Sequence, residues 1–220
     1  MKFSKKAFIM CITSTAVMIF CTTSIADSFQ ILQDTNGNPL NTGKAYCIRL
    51  VGIEPKVNIT VNSEGYTKLS TAGMENPNQT CQYVYKLIGD DRSPSRTVSV
   101  GETIRFEELK KGADGKYKST TNFLKYEDKY IRSTKNEYNL ERSPATPGLP
   151  VFDQKVYTYS KFNFQLKDNN LSEIRIHTHS WNGDYVWKVP YSTDTGESWV
   201  ELQHKNDKKG ITTFEFKPVE

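Results

Sequence analysis

An all-β fold is predicted by three observations. Tyr, Phe, Thr and Val are frequent, with 12 Tyr and 11 Phe in 220 residues. Short runs of alternating apolar and polar residues recur, each closed by turn residues, which is the pattern of a sandwich or barrel. Apolar residues at helical spacing are hard to find. Within this class, Tyr83-Val84-Tyr85, Phe162-Asn163-Phe164 and Phe214-Glu215-Phe216 form a weak internal repeat. Side chains two apart on a strand face the same way, so each places two aromatics on one face. Three such closing strands imply three units of roughly 50–80 residues sharing one core, and threefold repetition in an all-β chain of this size predicts a β-trefoil.

Along the chain, residues 1–26 come first. Lys2, Lys5 and Lys6 precede an apolar stretch over 7–20, and Ser24 and Ala26 place small residues before a cut. This is the layout of a secretory signal peptide cleaved near Ala26. The apolar stretch is short for a membrane anchor, and Phe20 stands where a lipoprotein would carry a small residue before Cys21. The full chain has 29 Lys+Arg and 25 Asp+Glu; the three leader lysines account for most of the excess, so the mature chain is close to neutral. Without a basic run there is little support for nucleic-acid or anionic-membrane partners. No second long apolar segment offers a membrane span. The remaining residues, 27–220, read as one domain, secreted and monomeric.

Strands follow in order. Asp34-Thr35-Asn36-Gly37 is turn chemistry, Pro39 fixes its exit, and Tyr46 and Ile48 then share a buried strand face. Val57-Asn58-Ile59-Thr60-Val61 alternates and stops at Asn62-Ser63-Glu64-Gly65. Tyr83-Val84-Tyr85-Lys86-Leu87 stops at Gly89-Asp90-Asp91. Further strands are expected at 97–100, 103–106, 157–166, 174–179, 185–189, 199–202 and 212–217. The Pro-rich stretch 143–150 reads as a surface loop. Cys11 and Cys21 leave with the leader. Cys47 and Cys81 remain, and an even pair in an exported chain is most simply one disulfide. Two thiols are too few for a structural zinc site.

The segment from Leu32 through Asp34-Thr35-Asn36-Gly37-Asn38-Pro39-Leu40 to Tyr46-Cys47-Ile48 resembles the opening signature of the Kunitz soybean trypsin inhibitor family. In that family an aliphatic residue, Asp, Asx or Glu, Gly, a polar residue and an aliphatic precede a Tyr-x-aliphatic strand. Asn78-Gln79-Thr80-Cys81-Gln82-Tyr83-Val84 looks like the family's run from its first cysteine into a strand. Gly101-Glu102-Thr103-Ile104-Arg105-Phe106 looks like its Gly-x-Pro-Val-x-Phe stretch with Thr for Pro, and 211–217 is similar to its closing strand. These segments cover under a third of the mature chain. The resemblance implies a β-trefoil and a secreted inhibitor of a serine or cysteine protease, without cofactor or catalytic residues.

The departures are specific. In the family the cysteine matching Cys81 pairs with one in the second repeat, which this chain lacks, while Cys47 lies inside the first strand. The family's loop-supporting Asn, two places after the Leu of the signature, falls on Thr42, with Asn41 adjacent.

Two segments compete for protease contact. Asp90-Asp91-Arg92-Ser93-Pro94-Ser95-Arg96 lies between expected strands and offers Arg92, Ser93 and Arg96, with arginine suited to an acidic specificity pocket; the bland alternative is a solvated turn. Alignment with the family favours Thr103, Ile104 and Arg105. Arg142-Ser143-Pro144 heads another long loop and reads as a plain connection.

His177 and His179 flank Thr178 on an expected strand, a spacing that allows chelation with Asp184 or His204 as third ligand; two surface histidines are the plainer reading, and no metal is assigned. No Gly-x-Ser-x-Gly, His-Glu-x-x-His or phosphate loop is present, so enzyme activity is not expected. The competing function is a glycan- or receptor-binding trefoil, since fold does not settle function. Trp181, Tyr185, Trp187, Tyr191 and Trp199 cluster in the last third, and core packing should claim at least half of them. The Gln-x-Trp repeat of ricin-type lectins is absent. Asn58, Asn78 and Asn170 head glycosylation sequons if the source is eukaryotic.

Overall fold

A computed structural model describes residues 30–53, 56–70, 81–90, 95–127, 129–135, 140–142, 156–158, 160–180, 183–190, 198–206 and 212–219, with backbone only for 140–142, 156–158 and Ser180. All elements among them are strands.

Three groups of four strands repeat one plan. The first is β1 (Ala45–Leu50), β2 (Ile59–Val61), β3 (Thr67–Leu69) and β4 (Tyr83–Gly89). The second is β5 (Thr103–Lys111), β6 (Tyr117–Glu127), β7 (Tyr130–Thr134) and β10 (Phe162–Lys167), with an inserted hairpin of β8 (Leu140–Arg142) and β9 (Val156–Thr158). The third is β11 (Asn170–Ser180), β12 (Gly183–Lys188), β13 (Glu201–His204) and β14 (Phe214–Pro218).

The first and last strands of each group close a ring. β1 pairs with β4, β4 with β5, β5 with β10, β10 with β11, β11 with β14, and β14 with β1, all antiparallel. Full closure removes the exposed edges that an open sheet would present. The middle strands form three hairpins, β2–β3, β6–β7 and β12–β13, which meet one another across the bridges Tyr66↔Arg132, Lys68↔Trp199 and Glu201↔Tyr130. A six-stranded barrel capped by a triplet of hairpins is the β-trefoil, as the aromatic repeat predicts.

That repeat marks the strand closing each group, and most of it lines the barrel. Phe162, Phe164, Phe214, Phe216 and Tyr85 have no exposed surface, whereas Tyr83 is only half-buried. Phe106 is the hub of this core, 5.6 Å from Phe162, 5.8 Å from Phe164 and 5.6 Å from Trp187 between ring centroids. Such aromatics carry a large buried area each and dominate the hydrophobic stabilisation.

At the hairpin triplet, Gly65 has φ +86° and a Cβ there would lie 2.8 Å from the Ser133 carbonyl oxygen. Ser133 N–H donates back to Gly65 O at 2.7 Å, so the two hairpins approach more closely than a side chain permits.

Several expectations shift at their edges. The run expected over 157–166 is two strands, β9 and β10. The expected strand 97–100 is a pair of isolated bridges, Asn41↔Thr97 and Ile31↔Ser99. β3, β6, β7 and β8 are additional to the strands the sequence suggests, and Arg142, expected at the head of a loop, ends β8.

Candidate functional site

Residues 30–42 form a strap that grips the β4–β5 connection. Leu32 N–H donates to Val98 O, Val98 N–H to Leu40 O and Leu40 N–H to Leu32 O, at 2.8–2.9 Å, which clamps Val98 between two fully buried leucines. Val100 N–H donates to Gln30 O at 2.9 Å. The strap's own turn is held by Asp34, only 4% exposed, whose Oδ1 accepts from the amides of Asn36 and Asn38. Asn41 N–H donates to the Tyr46 hydroxyl at 3.0 Å, tying the strap to β1.

The tightest point is Thr42, which is fully buried. Its N–H donates to Arg96 O, and its Oγ1 accepts from Arg96 N–H, both at 2.9 Å. A neutral buried residue thus satisfies both backbone groups of Arg96, as buried polar groups require. Asn41 plays no such part: its side chain donates to Pro39 O at 2.7 Å and stays on the strap.

Of the arginines offered as anchors, Arg96 is 39% exposed at the side chain and is ion-paired with Glu102 at 2.5 Å. Glu102 also accepts from Ser99 N–H at 3.0 Å, so its carboxylate braces the connection from inside. Glu102 carried no signal as a site residue in the sequence. Arg92 and Ser93 lie outside the described residues.

The alternative segment is not an exposed loop. Thr103, Ile104 and Arg105 belong to β5, paired with β4 and β10. Thr103 Oγ1 accepts from the Asn163 side chain at 3.2 Å. Ile104 is fully buried in the barrel core. Arg105 is 3% exposed and sits 2.5 Å from Asp90, the residue after β4. Lys161 reaches the same carboxylate at 2.8 Å. The strand begins where the family alignment places the contact, and the exposed positions precede it. Arg142 pairs with Val156 in the β8–β9 hairpin, and residues 143–155 lie outside the described residues.

The histidine pair occupies the outer face of β11, with Thr178 turned inward between them. His179 Nδ1 and Lys205 Nζ each take one oxygen of Asp184. The Lys205 hydrogen bond is the main reason the Asp184 carboxyl is held below its usual range. Burial, reinforced by Arg175, His179 and Lys205, pushes His177 down to about 4. His204 packs edge-on against Tyr185 at 5.6 Å and does not join the pair. Among the described residues no group of three or more His, Cys, Asp or Glu could hold a metal ion.

The aromatics of the last third divide. Trp187 is core, 5.2 Å from Phe162. Tyr185 and Trp199 are half-buried at the surface, and Trp181 and Tyr191 lie outside the described residues. Trp199 meets Tyr66 at 5.6 Å, and Tyr66 meets Tyr130 at 5.6 Å, so one ring from each group converges at the hairpin triplet. Asn58 is 7% exposed and accepts from Arg49 Nε at 2.9 Å, which leaves no room for a glycan; Asn170 is exposed, and Asn78 lies outside the described residues.

Cys47 and Cys81 are disulfide-bonded, with Cα atoms 6.1 Å apart. Residues 1–26, the expected leader, lie outside the described residues. Among the described residues no helix is long and apolar enough to cross a membrane.

No protein-family model matches the chain, and no curated protein matches it. Solved structures do. The chain superposes on the ligand-binding domain of botulinum neurotoxin serotype D, crystallised with N-acetylneuraminic acid, with a TM-score of 0.60 at 12% identity over 93% of this chain and 47% of that one. The receptor-binding domain of the C/D mosaic neurotoxin gives 0.59 at 11% identity, covering 94% of this chain and 48% of that one. The chain therefore spans about half the length of the toxin domains it matches. Alocasin, a protease inhibitor from giant taro (Arum macrorrhizon), gives 0.53 at 12% identity over 86% of this chain and 99% of that one. At these identities the likeness establishes the fold alone. The neighbours named here are a protease inhibitor and toxin binding domains.

Proposed function

We propose that the protein is an exported protease inhibitor of the Kunitz soybean trypsin inhibitor type, presenting the β4–β5 connection to a serine or cysteine protease. The observation that carries this reading is the Thr42–Arg96 clamp. A substrate-like inhibitor gains affinity by holding its loop in one conformation before docking, which lowers the entropy cost of binding. Here a strap lying 54 residues earlier in the chain at Thr42 holds the loop's descending side through backbone and side chain together. Arg92 is the first candidate for the pocket-filling anchor, followed by Ser93; Arg96 is second choice because Glu102 already holds its guanidinium. Export with cleavage near Ala26 agrees with the disulfide, which belongs to an oxidising compartment, and a monomer is expected.

The second reading is a glycan- or receptor-binding trefoil. It is favoured by the half-buried Tyr66, Tyr130 and Trp199 at the hairpin triplet, a surface where rings could meet a sugar.

A panel of serine and cysteine proteases run beside a glycan array separates the two. Inhibition that is lost in Arg92→Ala, without glycan binding, supports the first reading. Glycan binding without inhibition of any protease overturns it in favour of the second.

A further inference from the structure

A cleft of about 520 Å³ opens between the β2–β3 turn and strands β5, β6 and β7. Its walls are fixed before any ligand arrives. The turn is locked by Asn62 Oδ1, which accepts from the amides of Glu64 and Tyr66 at 3.1 and 2.8 Å. The close approach of Gly65 and Ser133 binds it to β7, and Arg132 donates to Glu64 O at 3.0 Å. On β5 and β6, the Thr120 hydroxyl donates to Glu108 O and accepts from Asn122 N–H, both at 3.2 Å, which holds the irregular stretch of the ladder together.

Three side-chain oxygens of this lining are buried without a hydrogen-bond partner among the described residues: Glu108 Oε2, Ser133 Oγ and Thr134 Oγ1. Glu108 is 2% exposed and Ser133 6%. Native interiors rarely leave such atoms unmet, because each forgoes the hydrogen bonds it makes to water in the unfolded chain. The sheet does not help Glu108. Its register partner in the β4–β5 ladder is Tyr85, whose hydroxyl is also buried without a partner. The oxygens come from β5 and β7, which β6 separates in the sheet, and both strands present them in the same cleft.

Their chemistry selects the ligand. A carboxylate oxygen only accepts, whereas a serine or threonine hydroxyl both donates and accepts. An ammonium ion donates only and leaves the two hydroxyl hydrogens unmet; a sulfate accepts only and has nothing to give Glu108. Neighbouring hydroxyls on one ligand donate to the carboxyl group and exchange with both side-chain hydroxyls, so all three oxygens are served. We propose that this cleft binds a neutral sugar, held by adjacent hydroxyls on Glu108, Ser133 and Thr134. Val61 and Tyr83 line the same cleft and offer apolar contact to the C–H groups of the ring. The volume falls within the roughly 300–1,000 Å³ of small-molecule sites, which combine such walls with a few convergent polar groups. The cleft shares no residue with the β4–β5 connection or with Tyr66, Tyr130 and Trp199, so it depends on neither reading above and is compatible with both.

The experiment titrates the disulfide-bonded protein with the methyl glycosides of glucose, galactose and mannose, and with methylammonium and sulfate at the same ionic strength, followed by amide chemical shifts. At least one glycoside is expected to give saturable shifts centred on Gly65, Glu108, Ser133 and Thr134, while methylammonium and sulfate leave those amides in place. Glu108→Gln should weaken that glycoside about tenfold, as loss of a hydrogen bond to a carboxylate does. Its melting temperature should not fall, since no hydrogen bond within the protein is lost at Oε2. Ser133→Ala keeps the backbone bond to Gly65 and should weaken the glycoside several-fold; it decides alone if Glu108→Gln fails to fold. Absence of saturable shifts with every glycoside, shifts centred elsewhere, or an affinity unchanged in Ser133→Ala overturns the site. Equal binding of methylammonium or sulfate overturns the sugar. On a glycan array, binding that survives both substitutions belongs to another surface, which overturns the cleft and leaves the glycan-binding reading standing.

Discussion

Arg105 keeps its guanidinium 2.5 Å from Asp90 while only 3% of its side chain meets solvent, so a charge on a barrel strand is neutralised from the root of the neighbouring loop. Breaking a fully buried pair costs about 3–5 kcal/mol. Asp90 is 45% exposed and water replaces part of what it gives, so Asp90→Asn should cost less, about 2 kcal/mol. Urea unfolding of the variant checks this, and an unchanged midpoint would show the pair to be idle. Arg105 is therefore a fold residue, and its replacement should lower stability before it affects any partner.

Thr42→Val keeps the shape of the side chain and removes the acceptor for Arg96 N–H. A buried donor left unmade costs about 1–3 kcal/mol. The melting temperature should fall by several degrees, and inhibition, measured against whichever protease the panel identifies, should weaken about tenfold. Thr42→Ser should behave as wild type in both assays. Equal inhibition by Thr42→Val would mean that the clamp does not govern docking.

The disulfide closes a sequence separation of 34 residues. On the chain-entropy model this contributes about 3–4 kcal/mol, so Cys47→Ala with Cys81→Ala should melt about 10 °C lower. Because the bridge sits in its own cluster outside the barrel, the near-ultraviolet spectrum of Trp187 should be retained. Loss of that spectrum would show that the bridge organises the core as well.

The parts of the fold legible in the sequence are those where an aromatic or aliphatic alternates cleanly, as at Phe162-Asn163-Phe164. The missed strands put polar residues inward. Thr67 in β3 and Ser133 in β7 are buried and break the apolar rhythm. In β6 the stretch Lys118-Ser119-Thr120-Thr121-Asn122 is exposed or half-exposed, Thr121 has a positive φ, and the β5–β6 register shifts, so no period of two survives. The braced loop was half legible. Thr42 stands out only by its place after Leu40; Asp90 and Lys161 meet through a contact between segments distant in the chain, and Glu102 braces Arg96 and Ser99 within the connection without any motif to announce it.

His177 gives a pH dependence with a definite sign. The unfolded chain takes up its proton near 6.5, whereas the folded chain resists until about 4, because burial and the positive charge of Arg175 and Lys205 oppose it. Its Nε2 is buried without a hydrogen-bond partner among the described residues. Between those values the unfolded state binds more protons, so stability falls as pH falls from 6.5 towards 4 and is level above that window. His177→Gln should flatten the slope of urea midpoints between pH 6.5 and 5, above most carboxylate titration. An identical slope in the variant would assign it to other groups.

Both shoulders of the β4–β5 connection are fastened, Asp90 to Arg105 of the following strand and to the distant Lys161, and Arg96 to the distant Thr42. A nick between them would leave Asp90 and Arg96, on either side of it, still fastened to the same body. Tethered ends meet at an effective concentration on the order of millimolar or above, and oriented ones at far more. On the inhibitor reading proposed above, religation would then compete with release, and the severed protein would stay a ligand of the enzyme that cut it.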